Sequence, residues 1–166
     1  MFVARSHRLS FGLAMLLALS LGWLGIQSVS AQPLRDDAAA PKRIEVSLST
    51  QQMIAWEGDR KVYAFPVTTG QDGQPTIPGE FAILDKDVSA FSEGWQLNMP
   101  FWMGIYQFGD YENGIHALPT DSDGVEYWRD ALGQYPATHG CIVLAPQDAE
   151  TLFNWVDIGT PVDVHD

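Results

Sequence analysis

Ile44, Val46 and Leu48 alternate with Glu45, Ser47 and Ser49, a period of two that predicts a strand with one buried face. Met53 to Trp56 and Lys61 to Thr69 are further apolar, aromatic-rich runs, and Glu57-Gly58-Asp59-Arg60 between them reads as a hairpin turn. Pro66 inside the second run predicts an edge strand or a bulge, because proline cannot donate to a ladder. Gly70 to Gly79 is rich in glycine and proline and reads as a loop, and Phe81 to Leu84 as another strand. From Gly94 to Tyr106 the chain is crowded with Trp95, Met99, Phe101, Trp102, Met103 and Tyr106, which predicts core packing or an aromatic wall facing a substrate. One helix is expected from Pro146, where Ala149, Leu152, Phe153 and Val156 recur at helical spacing. Asp148 and Glu150 suit the positive end of its dipole, Gly159 closes the segment, and Pro161 to Val164 reads as a last strand. Several short strands and one helix near the C-terminus make a mainly β domain, most simply a sandwich or an open barrel.

The first segment belongs to a different pattern. Arg5, His7 and Arg8 precede an uncharged apolar run from Leu9 to Ile26, and Val29-Ser30-Ala31 offers small residues at positions a signal peptidase reads. Residues 1–31 are thus a signal peptide or an uncleaved N-terminal membrane anchor, since about 20 apolar residues can span a bilayer. Either reading puts the rest of the chain outside the cytoplasm, in the cell envelope. Residues 32–42, rich in Ala, Asp and Pro, form a linker, and residues 43–166 form the folded domain. Twenty-one acidic against nine basic residues, a net charge of −12, leave no basic footprint for nucleic acid.

The cysteine count narrows the chemistry. Cys141 is the one cysteine, so no disulfide can form within the chain, and an exported lone thiol is either a small buried hydrophobe or a reactive group. Its setting is Thr138-His139-Gly140-Cys141. A thiol attacks as thiolate, which an imidazole or a run of backbone N–H groups favours. Gly140 lets the backbone approach a ligand and could leave N–H groups free to hold an oxyanion. A second histidine, His116, follows Asn113-Gly114-Ile115, and spacing alone leaves open which imidazole is the base. Pro119 to Pro136 is a polar loop that carries Tyr127 and Trp128; it is expected to be exposed and mobile, a lid or binding loop. Cys141, His116, His139 and His165 could instead form a metal site, although no pair has a familiar zinc spacing.

Thr138-His139-Gly140-Cys141-Ile142, preceded by Gly114-Ile115-His116, resembles the signature of the L,D-transpeptidase catalytic domain, the YkuD domain. Further matches run in order along the chain: Ile44 to Gln51, Phe65 to Gly70, Thr76 to Phe81, Met99 to Met103 and Asp148 to Val162. The resemblance implies a β-sandwich-like fold with one short helix after the cysteine. It implies peptidoglycan stem peptides as substrate, with Cys141 attacking the carbonyl before the terminal D-alanine of a tetrapeptide. An amine of another stem, or a protein amine, would then resolve the thioester. His116 would be the base, oriented by a backbone carbonyl near Ala117, while His139 and Gly140, with Thr138, shape the site around the thiolate and the oxyanion. The loop that carries Tyr127 and Trp128 is longer than the family's usual one; its aromatics either pack back onto the domain or fold over the cleft. Carbapenem β-lactams would acylate Cys141, and no metal or organic cofactor is implied. Water in place of the amine would make the chain an L,D-carboxypeptidase; the alternative of another class is a non-catalytic wall- or metal-binding module. Val143 stands where the family commonly has Arg or Asn.

Overall fold

A computed structural model describes residues 40–109 and 111–166; the apolar N-terminal run lies outside the described residues. Nine strands are joined into one mixed sheet. They are β1 (Lys42–Ser47), β2 (Gln52–Glu57), β3 (Arg60–Thr68), β4 (Gly79–Ala82), β5 (Asp85–Ser92), β6 (Leu97–Phe108), β7 (Tyr111–Ala117), β8 (Ile142–Leu144) and β9 (Pro161–His165). Their spatial order is β4-β9-β1-β2-β3-β8-β7-β6-β5. The sheet curls so that both halves share one core. Ile44, Val46, Met53, Val162 and Val164 from one half pack in the same cluster as Met103, Ile105, Ile115 and Ile142 from the other. The Phe81 ring on β4 stacks on Tyr106 of β6, centroids 4.9 Å apart.

The helix α1 (Pro146–Trp155) starts on the proline and buries Ala149 and Leu152, with Val156 closing the apolar face in extended conformation. Lys86 on β5 reaches its C-terminal end, where Nζ donates to the Phe153 and Val156 carbonyls at 2.6 and 2.8 Å. A cation there meets the negative pole of the helix and satisfies carbonyls that have no intrahelical partner.

Three expectations change. Pro66 lies in an interior strand, not at an edge, and the β2–β3 ladder shifts register earlier in the same run, between the Ala55–Tyr63 and Trp56–Lys61 pairs. β3 pairs with β2 along Arg60–Pro66, whereas β8 meets it only at Val67 and Thr68. Val67 N–H donates to Gln51, so the neighbouring Pro66 nitrogen faces the opposite side, short of where β8 begins. The strand expected at Phe81–Leu84 starts at Gly79, paired with Val164, and ends at Ala82. Ile83 and Leu84 instead cross between the sheet halves, donating to the Thr160 and Gly104 carbonyls. β5 had no counterpart in the hydrophobic pattern, because most of its side chains face solvent.

The crowded segment from Gly94 to Tyr106 divides between core and cavity. Met103 and Ile105 are core, while Trp95, Met99, Trp102 and Tyr106 line a cavity. Phe101 follows Pro100 at φ +56°, a left-handed kink within β6 that only a surrounding fold can hold in a bulky residue.

Candidate active site

β7 and β8 run parallel, with Ile115 opposite Ile142, His116 opposite Val143 and Ala117 opposite Leu144. Cys141 immediately precedes β8, so this register brings the thiol beside the strand that carries His116. Both line a cavity of about 650 Å³ whose walls include Tyr106, Glu112, Asn113, Trp95, Trp128 and His139.

His116 is buried, and its Nδ1 lies 2.6 Å from the Ala117 carbonyl oxygen. A carbonyl only accepts, so Nδ1 carries the proton and Nε2 is left as the basic nitrogen. The Trp102 ring stacks on the imidazole at 5.8 Å, and Val143 shares its face of the sheet. Burial pushes the His116 pKa down to about 4, with the Ala117 carbonyl opposing. The Arg or Asn common at position 143 would put a polar group on that face; the buried valine here keeps it apolar.

The Cys141 thiol donates to Asn113 Oδ1 at 3.4 Å. Burial pushes its pKa up to about 11; a hydrogen bond from the Gly114 backbone opposes this, and the Glu112 carboxyl adds to it. The pair therefore rests neutral, as S–H and imidazole, across the physiological range.

Glu112 is held in an unusual way. Burial raises its pKa first, and the charge of Asp85 and a hydrogen bond with it raise it further. Asp85 Oδ1 takes the Trp102 indole N–H at 3.1 Å and the Gly104 N–H at 3.3 Å. A side chain at Gly104 would collide with both carboxyls, so the glycine makes room for the pair.

The turn before the cysteine is tied on several sides. Thr138 Oγ1 donates to the Cys141 carbonyl at 2.6 Å and accepts from the Gly140 N–H at 3.2 Å. The Gly140 carbonyl accepts from Thr76 Oγ1 at 2.8 Å. The Gly140 N–H itself is taken by the Thr138 hydroxyl. The Gly114 backbone N–H favours the thiolate form of Cys141. Gly140 has φ +116°, and a Cβ there would lie 3.1 Å from Asn113 Oδ1. Gly140→Ala is expected to cost about 1–3 kcal/mol through backbone strain and to displace Asn113 from the thiol; a denaturant melt together with an alkylation rate checks both effects.

His139 forms a wall. Its ring stacks on Trp95 at 3.7 Å and 22°, and Trp128 meets it edge-on at 5.5 Å. Burial lowers its pKa. Trp128 thus reaches over the cleft, held at φ +66° ahead of a 3₁₀ turn at Arg129–Ala131. Tyr127 does not line this cavity: its hydroxyl donates to Asp121 Oδ2 at 2.9 Å. The start of the long loop is a tied turn, in which Asp121 Oδ1 accepts from the Asp123 and Val125 N–H groups. The end is pinned too, with Gly133 N–H on the Val67 carbonyl and the Ala137 and Thr138 N–H groups on Thr69. An aspartate two and four residues ahead of free N–H groups is a turn signal that argues against the freely moving loop expected from composition.

The metal reading loses its geometry. His165 ends β9, outside the cavity, and among the described residues no group of three His, Cys, Asp or Glu side chains could hold a metal ion. Sequence reasoning did not single out Asn113, Glu112 or Asp85 as site residues, and Tyr106 entered only as part of the aromatic run. Asn113 and Glu112 stand just ahead of Gly114-Ile115-His116, and that adjacency on a strand was the available signal.

A curled β sheet that sets a single thiol and a carbonyl-oriented imidazole in one aromatic-walled cleft defines a thiol–imidazole site of the acyl-transfer type. Residues 41–164 match the L,D-transpeptidase catalytic domain, YkuD, and the chain belongs to that family. It is 31% identical over 114 residues to a probable L,D-transpeptidase 3 of Mycobacterium tuberculosis, covering 61% of this chain and 38% of the relative. It is 26% identical over 138 residues to a putative L,D-transpeptidase YkuD of Bacillus licheniformis, covering 83% of this chain and 74% of the relative. The fold matches the crystal structure of L,D-transpeptidase 3 from Mycobacterium tuberculosis in complex with a faropenem-derived adduct. The TM-score is 0.65 at 22% identity, over 77% of this chain and 61% of that one. The chain therefore spans well under half of the mycobacterial relative's length.

Proposed function

We propose that this protein is a peptidoglycan L,D-transpeptidase acting in the cell envelope, with Cys141 as nucleophile and His116 as general base. The observation that carries the reading is His116: buried, donating Nδ1–H to the Ala117 carbonyl at 2.6 Å, and lining the same cavity as the lone thiol. Membership of the family and the faropenem-derived adduct in the mycobacterial relative support it.

His116 Nε2 takes the thiol proton as sulfur attacks the carbonyl between the third residue and the terminal D-alanine of a stem tetrapeptide. The Gly114 N–H, which favours the thiolate, stabilises the charge that forms there. Collapse of the tetrahedral species breaks the C–N bond; the proton on Nε2 goes to the departing D-alanine amine, and a thioester remains. An amine of a second stem gives its proton to Nε2, attacks the thioester and releases the thiol. The product is a cross-link between the third residues of the two stems.

Incubation with a disaccharide-tetrapeptide, read by mass, tests this. Dimer with loss of D-alanine is expected; tripeptide alone makes the chain an L,D-carboxypeptidase, and no product refutes the assignment. A carbapenem is expected to add once, at Cys141, by intact mass.

The Trp95–His139–Trp128 wall bears on the choice of acceptor. Aromatic cover excludes water from a thioester and so favours an amine. Trp128→Ala is expected to raise the ratio of hydrolysed to cross-linked product while a small β-lactam still acylates at the wild-type rate. An unchanged ratio with a lowered melting temperature would make Trp128 a loop anchor only.

A further inference from the structure

Among the described residues, the acceptor of the resting thiol's hydrogen bond is a side-chain amide, not the imidazole: Cys141 Sγ sits 3.4 Å from Asn113 Oδ1. The two ends of that amide are distinguished by their surroundings. Tyr106 Oη accepts from the Ile77 N–H at 3.5 Å, and the Asn113 side chain lies against the phenol. Oδ1 faces the sulfur, which leaves Nδ2, the amide's only donor, for the tyrosine. A carbonyl oxygen accepts S–H well and repels S⁻, so this contact favours the protonated thiol. Gly140 leaves the space the amide occupies, since a Cβ there would lie 3.1 to 3.5 Å from its three terminal atoms.

We propose that Asn113 is the resting-state acceptor of the Cys141 thiol proton, with Tyr106 as the positioning residue that fixes its orientation, and that the proton passes to His116 when bound substrate separates sulfur from amide. The inference rests on the acyl-transfer reading for that last step. The S–H bond breaks, the proton goes to His116 Nε2, and the sulfur electron pair forms the bond to the substrate carbonyl carbon. The thiol is thereby kept protonated in an empty cleft and is released only in the presence of an electrophile. The titratable groups that face the sulfur are Glu112 and His116 on β7, Tyr106 on β6 and His139 in the turn before it.

The test is the pH profile of iodoacetamide alkylation, read by intact mass, which is unambiguous because Cys141 is the one cysteine. Asn113→Ala is expected to lower the inflection by about half to one pH unit, the worth of one neutral hydrogen bond. Asn113→Asp raises it, by placing a carboxylate beside the sulfur. Tyr106→Phe lowers it, because the freed amide can turn and offer Nδ2–H to the thiolate. An unchanged or raised inflection in Asn113→Ala, or an unchanged one in Tyr106→Phe, overturns the proposal. Melting curves identify any variant that fails to fold, in which case the remaining variant decides. Alkylation needs no peptidoglycan, so a wild type that forms no product from the tetrapeptide but shows these shifts refutes the transpeptidase reading alone.

Discussion

Cys141→Ala abolishes product formation, a loss on the order of 10⁶-fold, the scale seen when a covalent enzyme loses its nucleophile. The reason is stoichiometric: without sulfur there is no thioester, and neither an amine nor water has an acyl-enzyme to attack. Stability changes little. The removed atom is one small sulfur whose hydrogen bond goes to an amide already held by Tyr106. The measurement is a mass spectrum with a carbapenem and with iodoacetamide. The wild type gains one adduct from each reagent and the variant gains none. A variant that still turns over the tetrapeptide would remove Cys141 from the mechanism.

His116→Ala lowers the acylation rate by about 10²–10⁴-fold, the usual worth of a general base, and His139→Ala lowers it far less. The two imidazoles differ in what holds them. His116 has one nitrogen tied to the Ala117 carbonyl and the other left basic, whereas His139 is sandwiched by Trp95 and Trp128. Equal rates in the two variants would overturn the assignment. His116 also sets an acid limit on stability. Its folded pKa of about 4 lies below its ordinary value of 6.5. The contribution of the neutral ring is therefore complete above 6.5 and is lost as pH falls through about 4. That is about 3 kcal/mol over the window, readable as a fall in melting temperature between those pH values.

The readable parts of the sequence were those where one face is buried. Ile44 and Val46 on β1, and Ala149 and Leu152 on α1, show their periods because the opposite faces meet water. β5 was invisible for the converse reason: an outer strand with few buried side chains carries no alternation, and its role lies in Lys86 and Asp85, which act on distant elements. The site divides in the same way. Cys141, His116 and His139 stand in a compact motif, and the cavity brings them together. Asn113, Glu112 and Tyr106 have ordinary identities for a strand, and only the β6–β7–β8 register and the kink at Phe101 bring them to the sulfur. The Gly140 N–H finds its partner, the Thr138 hydroxyl, two residues away in a turn whose shape the sequence does not print. Trp128 and Tyr127, adjacent in the chain, divide between cleft and loop because the backbone turns left-handed between them.

The place of β9 has a consequence for how the chain can fold. It lies between β1 and β4, parallel to the one and antiparallel to the other, and it gives Val162 and Val164 to the core. Synthesis delivers Cys141 and His116 well before this strand exists. Until it does, β4 has no neighbour in the sheet and one side of β1 stays open. Pairing β1 with a strand more than a hundred residues away also closes a long loop, which slows assembly. The domain therefore completes itself late, once nearly all of its residues are available, and a cleft that depends on the closed sheet is assembled only then.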